Sequence, residues 1–524
     1  MTFDILIKNG IVVDGFSNEA RRADVGISGA AIKVIGDLKN ATGGKTILAE
    51  GKYIVPGFID IQSHSDSYLT LLEYPAQESL ITQGITTIAV GHCGTSLAPL
   101  ASPEALKSVQ KWRSIAGANL NWLKFGEFLE ALSHYQLGVN VASLIGHSTL
   151  RRGLLRDEVR PATPEEVQIM QRMLGEGLQA GAAGLSLGLI YAHETDAAGE
   201  ELSRLSEMAG KKSRLLSVHL RSEGSHVVEA VEEVAELARK SGCRVKISHF
   251  KIQGRQNWGQ LELALSAIDR AYQRGVDIFF DVYPYSTTWS VLYTYLPKWA
   301  YEGGRETILK NLRDRSSRER ILTYLKNQSL DLSSVLVATS EANTAFLGKT
   351  LGQIARNQEI SVEEALLNVL SATNAQVIVF DYNLSSGIME TMLRHPLSVI
   401  ATDGAGYDLG YASLNGSLVH PRCFGTMPKF LSAVREKNLM SWTEAIKKIT
   451  SRPAEKLGLK KRGTLVAGNY ADVVVLDPRG VGSRASYENP YIQSEGIDEV
   501  IINGRSVVSK GQLTGTLAGQ VMRF

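Results

Sequence analysis

Polar and apolar positions alternate with period two along the first 55 residues. The runs at 3–8, 11–14, 24–28 and 31–35 are divided by turn residues such as Asn9-Gly10, which predicts short β-strands. The C-terminal part repeats this habit, with an apolar run at 471–477, a second at 499–502 and a turn pair at Asn503-Gly504. Two strand-rich ends around a different middle predict one small β-domain built from both termini, residues 1–57 with 463–524, beside a separate body at 58–462. In that body, apolar runs at 86–90, 140–145, 183–189, 215–219, 244–249, 277–283 and 397–402 are interleaved with helical patterns such as 164–180 and 226–240. Repeated strand–helix alternation predicts a parallel sheet. At this size, with polar residues gathered at the strand ends, it predicts an α/β fold with a TIM-like (β/α)8 barrel. Residues from about 290 to 335 carry dense charge and aromatics without a clear strand–helix unit, and are expected to form an insertion over one face.

The chain has 524 residues, more than one hydrophobic core usually covers, which agrees with two domains. Its 56 basic and 54 acidic residues give a net charge of +2, too small an imbalance to suggest nucleic acid or a membrane surface as partner. Three cysteines far apart, Cys93, Cys243 and Cys423, are no disulfide framework and suggest a reducing compartment. The N-terminal residues show no basic region followed by an apolar core, and no run of about 18 apolar residues occurs. A cytoplasmic enzyme acting on a small molecule is expected; nothing in the pattern specifies an oligomeric state.

Barrel enzymes place their chemistry at the C-terminal ends of strands. The apolar runs here end on His64, on Cys93, on His219, on His249 and on Asp403. Thiolate, imidazole and carboxylate are donors that zinc takes. Taken singly, each has an ordinary reading, as a small buried filler, a structural histidine or a turn residue. Five at the ends of five strands outweigh that reading. Arg221 and Glu223 follow His219 and read equally well as a surface ion pair or as supports of a metal ligand. His92 adjoins Cys93, but neighbours on a strand face opposite ways.

The segments PGFIDIQSHSD (56–66), QGITTIAVGHCGTSLAPL (83–100), GLSLGLIY (184–191), VHLRSEG (218–224), KISHFKIQGRQNWG (246–259), FDVYPYS (280–286), TDG (402–404), HPRCFGTMPKFL (420–431) and RGTLVAGNYADVVVLDP (462–478) resemble the amidohydrolase superfamily, and within it the D-aminoacylase (N-acyl-D-amino-acid deacylase) family. Their order and spacing cover nearly the whole chain. The resemblance implies a TIM-like barrel with a small β-sandwich domain from both termini. It implies zinc-dependent hydrolysis of the acyl-amide bond of N-acyl-D-amino acids. The tightly held zinc would sit on Cys93, His219 and His249, and a second metal position would use His64 and Asp403. Asp403 would also be the general acid/base. Lys251, Tyr283 and Arg422 would hold the substrate carboxylate, with Tyr191 nearby.

One departure stands out. The family's first motif is usually His-x-His, and here it reads Gln62-Ser63-His64. A glutamine amide is a weak zinc ligand, so one tightly bound zinc and a weakened second position are expected. His92 stands where the family often has Asn. Two alternatives keep the fold: a cyclic amidase acting on dihydropyrimidine-like or hydantoin-like rings, and a non-catalytic barrel homologue. Cys93 and the HPR segment favour the acylase reading over the first, and the retained Cys93, His219, His249 and Asp403 argue against the second.

Overall fold

A computed structural model describes residues 1–106, 120–156, 158–328, 331–340, 343–411 and 417–524. Strands from both ends of the chain share one nine-stranded sheet, in which Tyr53–Pro56 lies between Thr2–Val12 and Val473–Leu476. The Val473–Leu476 strand is buried on both faces. Val473 and Val475 join Ile7, Val25, Ile27 and Ile54 in a core belonging to the terminal strands. The alternate residues Val474 and Leu476 join the main core around the barrel. The period-two pattern thus sorts one strand's side chains between two cores.

The Asn503-Gly504 pair is the two-residue turn between Ile497–Ile502 and Arg505–Ser509. Asn503 has φ 50° and Gly504 φ 76°, the left-handed pair that such a hairpin demands. Asn9-Gly10 behaves differently from its sequence expectation. Thr2–Val12 runs through it as a single strand, with the register against Arg21–Ser28 shifting between Ile7 and Gly10. Asn9 takes φ 63° and its N–H donates to Asp24 Oδ1 at 2.8 Å, so the extra residue is absorbed as a bulge rather than a turn.

Among the described residues, eight parallel strands surround the centre of the molecule. Phe58–Asp60, Ile85–Val90 and Asn140–Ser143 pair in order, and the circuit continues through Ile145–Gly146, Gly184–Gly188, Leu215–His219, Arg244–Ile247, Ile278–Val282 and Ser398–Ile400. Asn140–Ser143 and Ile145–Gly146 are one strand interrupted at Leu144, whose N–H still donates to Val90 O at 2.9 Å. Helices cover the outside. Pro164–Ala180 begins with Thr163 and Glu166 capping each other and with proline in the first turn, and it ends on Gly181 at φ 114°. Among the described residues no helix is long and apolar enough to cross a membrane.

The barrel closes at a polar seam. Ser63 bridges Gly404, His64 N–H donates to Gly404 O at 2.7 Å and Asp403 N–H donates to Gln62 O at 2.9 Å. Asp60, fully buried, accepts from Thr402 N–H at 2.9 Å and from its hydroxyl at 2.5 Å. This register sets His64 and Asp403 side by side at the mouth.

The body over one face is larger than the charged stretch at 290–335 suggests. Thr288–Val291, Leu336–Thr339 and Ile378–Asp381 form a three-stranded antiparallel sheet. With the helices between them they enclose a core of their own, including Leu292, Ile308, Ile321, Val337, Leu366 and Leu370. Its second half, with helices Leu351–Gln358 and Val362–Ala372, resembles barrel helices in sequence, which hides the boundary. Residues 329–330 of the expected insertion lie outside the described residues.

Replacing Asp60 by alanine leaves the buried Thr402 N–H and hydroxyl without an acceptor, at about 1–3 kcal/mol each. Asp60→Ala is expected to lower the thermal unfolding midpoint by several degrees, and Asp60→Asn, which keeps an acceptor, by clearly less. Differential scanning calorimetry of the two variants checks this.

Candidate active site

Three of the polar residues at the barrel mouth take a backbone conformation that L-residues seldom adopt. Cys93 has φ 53°, His249 φ 37° and Asp403 φ 49°. Each stands two or three residues past the end of a barrel strand, and the left-handed turn swings its side chain across the strand ends instead of along the wall. Such conformations cost of order 1–3 kcal/mol and persist only where the surroundings enforce them. Here Asp281 Oδ1 accepts from His249 N–H at 2.8 Å, and the Cys93 turn is fixed by Gly94 N–H donating to Ser186 Oγ at 3.1 Å.

Cys93, His219 and His249 come together. One donor atom from each lies within 4.8 Å of the others, with Cys93 Sγ 3.3 Å from His249 Nε2. The two imidazole centroids are 4.3 Å apart at 76°. Among the described residues neither ring nitrogen of buried His219 has a hydrogen-bond partner, and Glu223 Oε1 lies 3.6 Å from its Nε2. A buried imidazole with no partner, beside a thiol and a second imidazole, fits zinc in geometry and donor chemistry. Burial pushes the Cys93 thiol up, but His249, His219 and His64 outweigh it and hold it well below the usual thiol range. Burial and Lys251 oppose a charge on His249, yet Asp403 and Cys93 raise that ring to about 10. The cluster therefore favours a thiolate balanced by positive charge, and a cation competes for the same donors as the protons do.

His64 and Asp403 stand at the edge of this set. His64 Nε2 is 3.2 Å from Asp403 Oδ1 and 3.8 Å from Cys93 Sγ. Asp403 Oδ2 is paired with Arg422 at 2.8 Å. Burial raises the Asp403 carboxyl, but Arg422, His249 and His64 hold it well below the ordinary range. Arg422 begins the helix Arg422–Lys437 and is 3% exposed; its guanidinium stands over the rings of Tyr283, at 4.8 Å, and Trp289, at 5.3 Å. The Tyr283 hydroxyl and Arg422 Nε, both buried, have no hydrogen-bond partner among the described residues. Tyr191 packs edge-on against His219 with centroids 5.1 Å apart. All of these residues, with Lys251, line one cavity at the barrel mouth.

Lys251 shares that cavity but faces the histidines: its Nζ lies 2.6 Å from Glu223 Oε1, 2.7 Å from His249 Nδ1 and 2.9 Å from His249 O. Arg221 and Glu223 prove to be no pair. Arg221 binds Glu233 at 2.8 Å, and Glu223 sits 3.1 Å from His249 Nδ1. Gln253 Nε2 donates to Glu223 Oε2 at 2.6 Å. His92 is fully buried, 3.0 Å from Ser217 Oγ and 3.1 Å from Ala89 O, and does not line the cavity. Tyr68 and Gln253 line it without a role assigned from sequence.

A parallel barrel with a thiolate and two imidazoles at its C-terminal mouth, beside an arginine-held carboxylate, has the architecture of a metal-dependent hydrolase. The chain belongs to the amidohydrolase family, whose profile matches residues 45–508. It is 32% identical to the N-acyl-D-glutamate deacylase of Alcaligenes xylosoxydans xylosoxydans over 96% of this chain and 93% of the relative. It is 31% identical to the D-aminoacylase of the same organism over 99% of this chain and 97% of the relative. The crystal structure of N-acyl-D-glutamate deacylase from Bordetella bronchiseptica, in complex with zinc and a phosphonate mimic of the tetrahedral intermediate, superposes with a TM-score of 0.85 at 31% identity, covering 100% of both chains.

Glu223 fixes His249 through Nδ1, and supports of this kind usually change metal affinity 10- to 100-fold when removed. Glu223→Gln is expected to weaken zinc binding by about that factor while the fold persists, which competition with a chromophoric chelator measures.

Proposed function

We propose that the protein hydrolyses the acyl-amide bond of N-acyl-D-amino acids, releasing a carboxylate and a free D-amino acid. The observation that carries this reading is the pairing, in one cavity, of a zinc-type donor set with two buried polar groups, Tyr283 Oη and Arg422 Nε, that have no hydrogen-bond partner among the described residues. The deacylase and D-aminoacylase relatives support it, because their names describe linear N-acyl substrates.

Zinc on Cys93, His219 and His249 would lower the pKa of a water towards about 7 and polarise the acyl carbonyl. Asp403 does the proton work. Its Oδ2 is fixed by Arg422, so the carboxylate cannot rotate, and Oδ1 faces the cluster. Held ionised, it accepts a proton from the attacking water and returns it to the leaving nitrogen. Arg422 and Tyr283 hold the substrate's free carboxylate, Lys251 joins them by giving up one of its contacts to Glu223 or His249, and Tyr191 closes the wall beside His219. Fixing the carboxylate brings the scissile amide over the donor set, which is the proximity part of catalysis. The metal content follows from the same donors: one tightly bound zinc, with the position at His64 and Asp403 weakened by Gln62.

Thr288, Trp289 and Ser290 line the cavity, and Tyr68 stacks on Trp289 with centroids 4.6 Å apart. Lys251 and Arg422 are the lysine and the arginine among the lining residues. With both engaged by the substrate's own carboxylate, no further lysine or arginine there is left for a second acidic group, so the protein prefers apolar D-residues.

Asp403→Asn is expected to keep zinc and fold but lower turnover roughly 100-fold or more. Cys93→Ala is expected instead to lose the metal, which elemental analysis of the two proteins separates. Kinetics with N-acetyl-D-leucine, N-acetyl-D-phenylalanine and N-acetyl-D-glutamate should place kcat/KM for the first two above the third. Removing Arg422 should lower kcat/KM by at least about 10- to 150-fold for all three, the scale of a lost charge-assisted hydrogen bond, since Asp403 loses its partner as well. A preference for glutamate would overturn the apolar assignment.

A further inference from the structure

Lys246 interrupts a barrel strand that is otherwise apolar at its inward end, and its side chain is fully buried. Nζ pairs with Asp281 Oδ2 at 2.9 Å, lies 3.0 Å from Ile61 O and donates to Gln62 Oε1. An ammonium has hydrogens only, so the amide atom facing it must be oxygen. Lys246 therefore decides which way the Gln62 amide points, and its Nε2 is turned to the mouth.

That nitrogen sits where a second cation would. His64 Nε2, Asp403 Oδ1 and Cys93 Sγ are spaced as donors around one small ion are, since bonds of about 2.0–2.3 Å put ligand atoms roughly 3.3–3.8 Å apart. Gln62 Nε2 stands among them, 3.4 Å from His64 Nε2, 3.5 Å from Cys93 Sγ and 3.5 Å from Asp403 Oδ1. An amide nitrogen offers hydrogens and no lone pair for a metal. It serves the thiolate and the carboxylate as a neutral donor and fills the space between them. The residues at this position do not fit a metal ion, in contrast to Cys93, His219 and His249.

We propose that Lys246 and Gln62 form a hydrogen-bonded plug that keeps the second metal position shut and makes the enzyme strictly mononuclear. This rests on the zinc reading of the Cys93, His219 and His249 set. Lys246, rather than Gln62 alone, specifies the closure. A histidine at position 62 would meet the Lys246 ammonium with one ring nitrogen, without a carboxylate such as the Glu223 group that stands at His249 Nδ1 to take that nitrogen's hydrogen, so the other nitrogen would carry the proton towards the cluster and present no lone pair. A glutamate at 62 behaves differently. One oxygen keeps Lys246, and the other replaces the amide nitrogen with an anionic donor of the same shape.

The test is metal stoichiometry. Metal-free wild type, Gln62→His and Gln62→Glu are titrated with zinc against a competing chelator, freed of excess by gel filtration and analysed for zinc per chain. Wild type and Gln62→His are expected to retain one equivalent, and Gln62→Glu two. Two equivalents in wild type or in Gln62→His, or one in Gln62→Glu, overturns the plug. Should Gln62→Glu fail to fold by circular dichroism, wild type and Gln62→His decide the matter alone. No zinc at all in the wild type sinks the Cys93, His219 and His249 assignment itself, and the plug with it, a result distinct from two.

Discussion

Almost every charged group at the barrel mouth is buried, so each has to be balanced by a neighbour. An isolated charge in such surroundings would cost several kcal/mol. The structure meets this constraint with three chains of contacts. Glu223 links Lys251 to His249, and Arg422 holds Asp403, while Lys246 joins Asp281 to Gln62 in the layer beneath. The chains share no carboxylate, but His249 and Asp403 each feel the other's charge, so the group that moves protons is tuned by the donor set beside it.

The backbone answers the same constraint. Cys93, His249 and Asp403 leave their strands in the left-handed region, and the seam from Asp60 to Thr402 fixes the last of them against the first strand. The donors are thus pre-positioned by main-chain hydrogen bonds that do not involve the chemistry. Little reorganisation is left for binding, the circumstance in which electrostatic arrangement contributes most to rate.

Much of this was legible in the sequence, because the (β/α)8 plan puts chemistry at strand ends and apolar runs mark where strands end. His219 and His249 close their runs, Asp403 follows its run directly, and His64 and Cys93 stand a few residues beyond theirs. The shared terminal sheet was legible from period-two runs at both ends. What escaped was set by three-dimensional neighbours. Lys246 lies inside a strand, where a lysine reads only as an interruption, and its meaning depends on Gln62, 184 residues earlier in the chain. Glu223 and Arg221 look like a pair two residues apart, yet they face different partners. Asn9-Gly10 carries the composition of a turn and becomes a bulge because Asp24 on the next strand takes its N–H. The body over the mouth extends past the charged stretch because its later helices have the same amphipathic pattern as barrel helices.

The terminal sheet also bears on how the molecule is made. Tyr53–Pro56 pairs with Val473–Leu476, so a strand that leaves the ribosome early waits for a partner encoded more than four hundred residues later. At roughly 5–20 residues per second, that wait lasts on the order of 20–80 s. During it the exposed edge and the apolar faces of Ile54 and Val55 are open to pairing with the wrong strand. Yield in a cell should therefore respond to translation speed through the barrel.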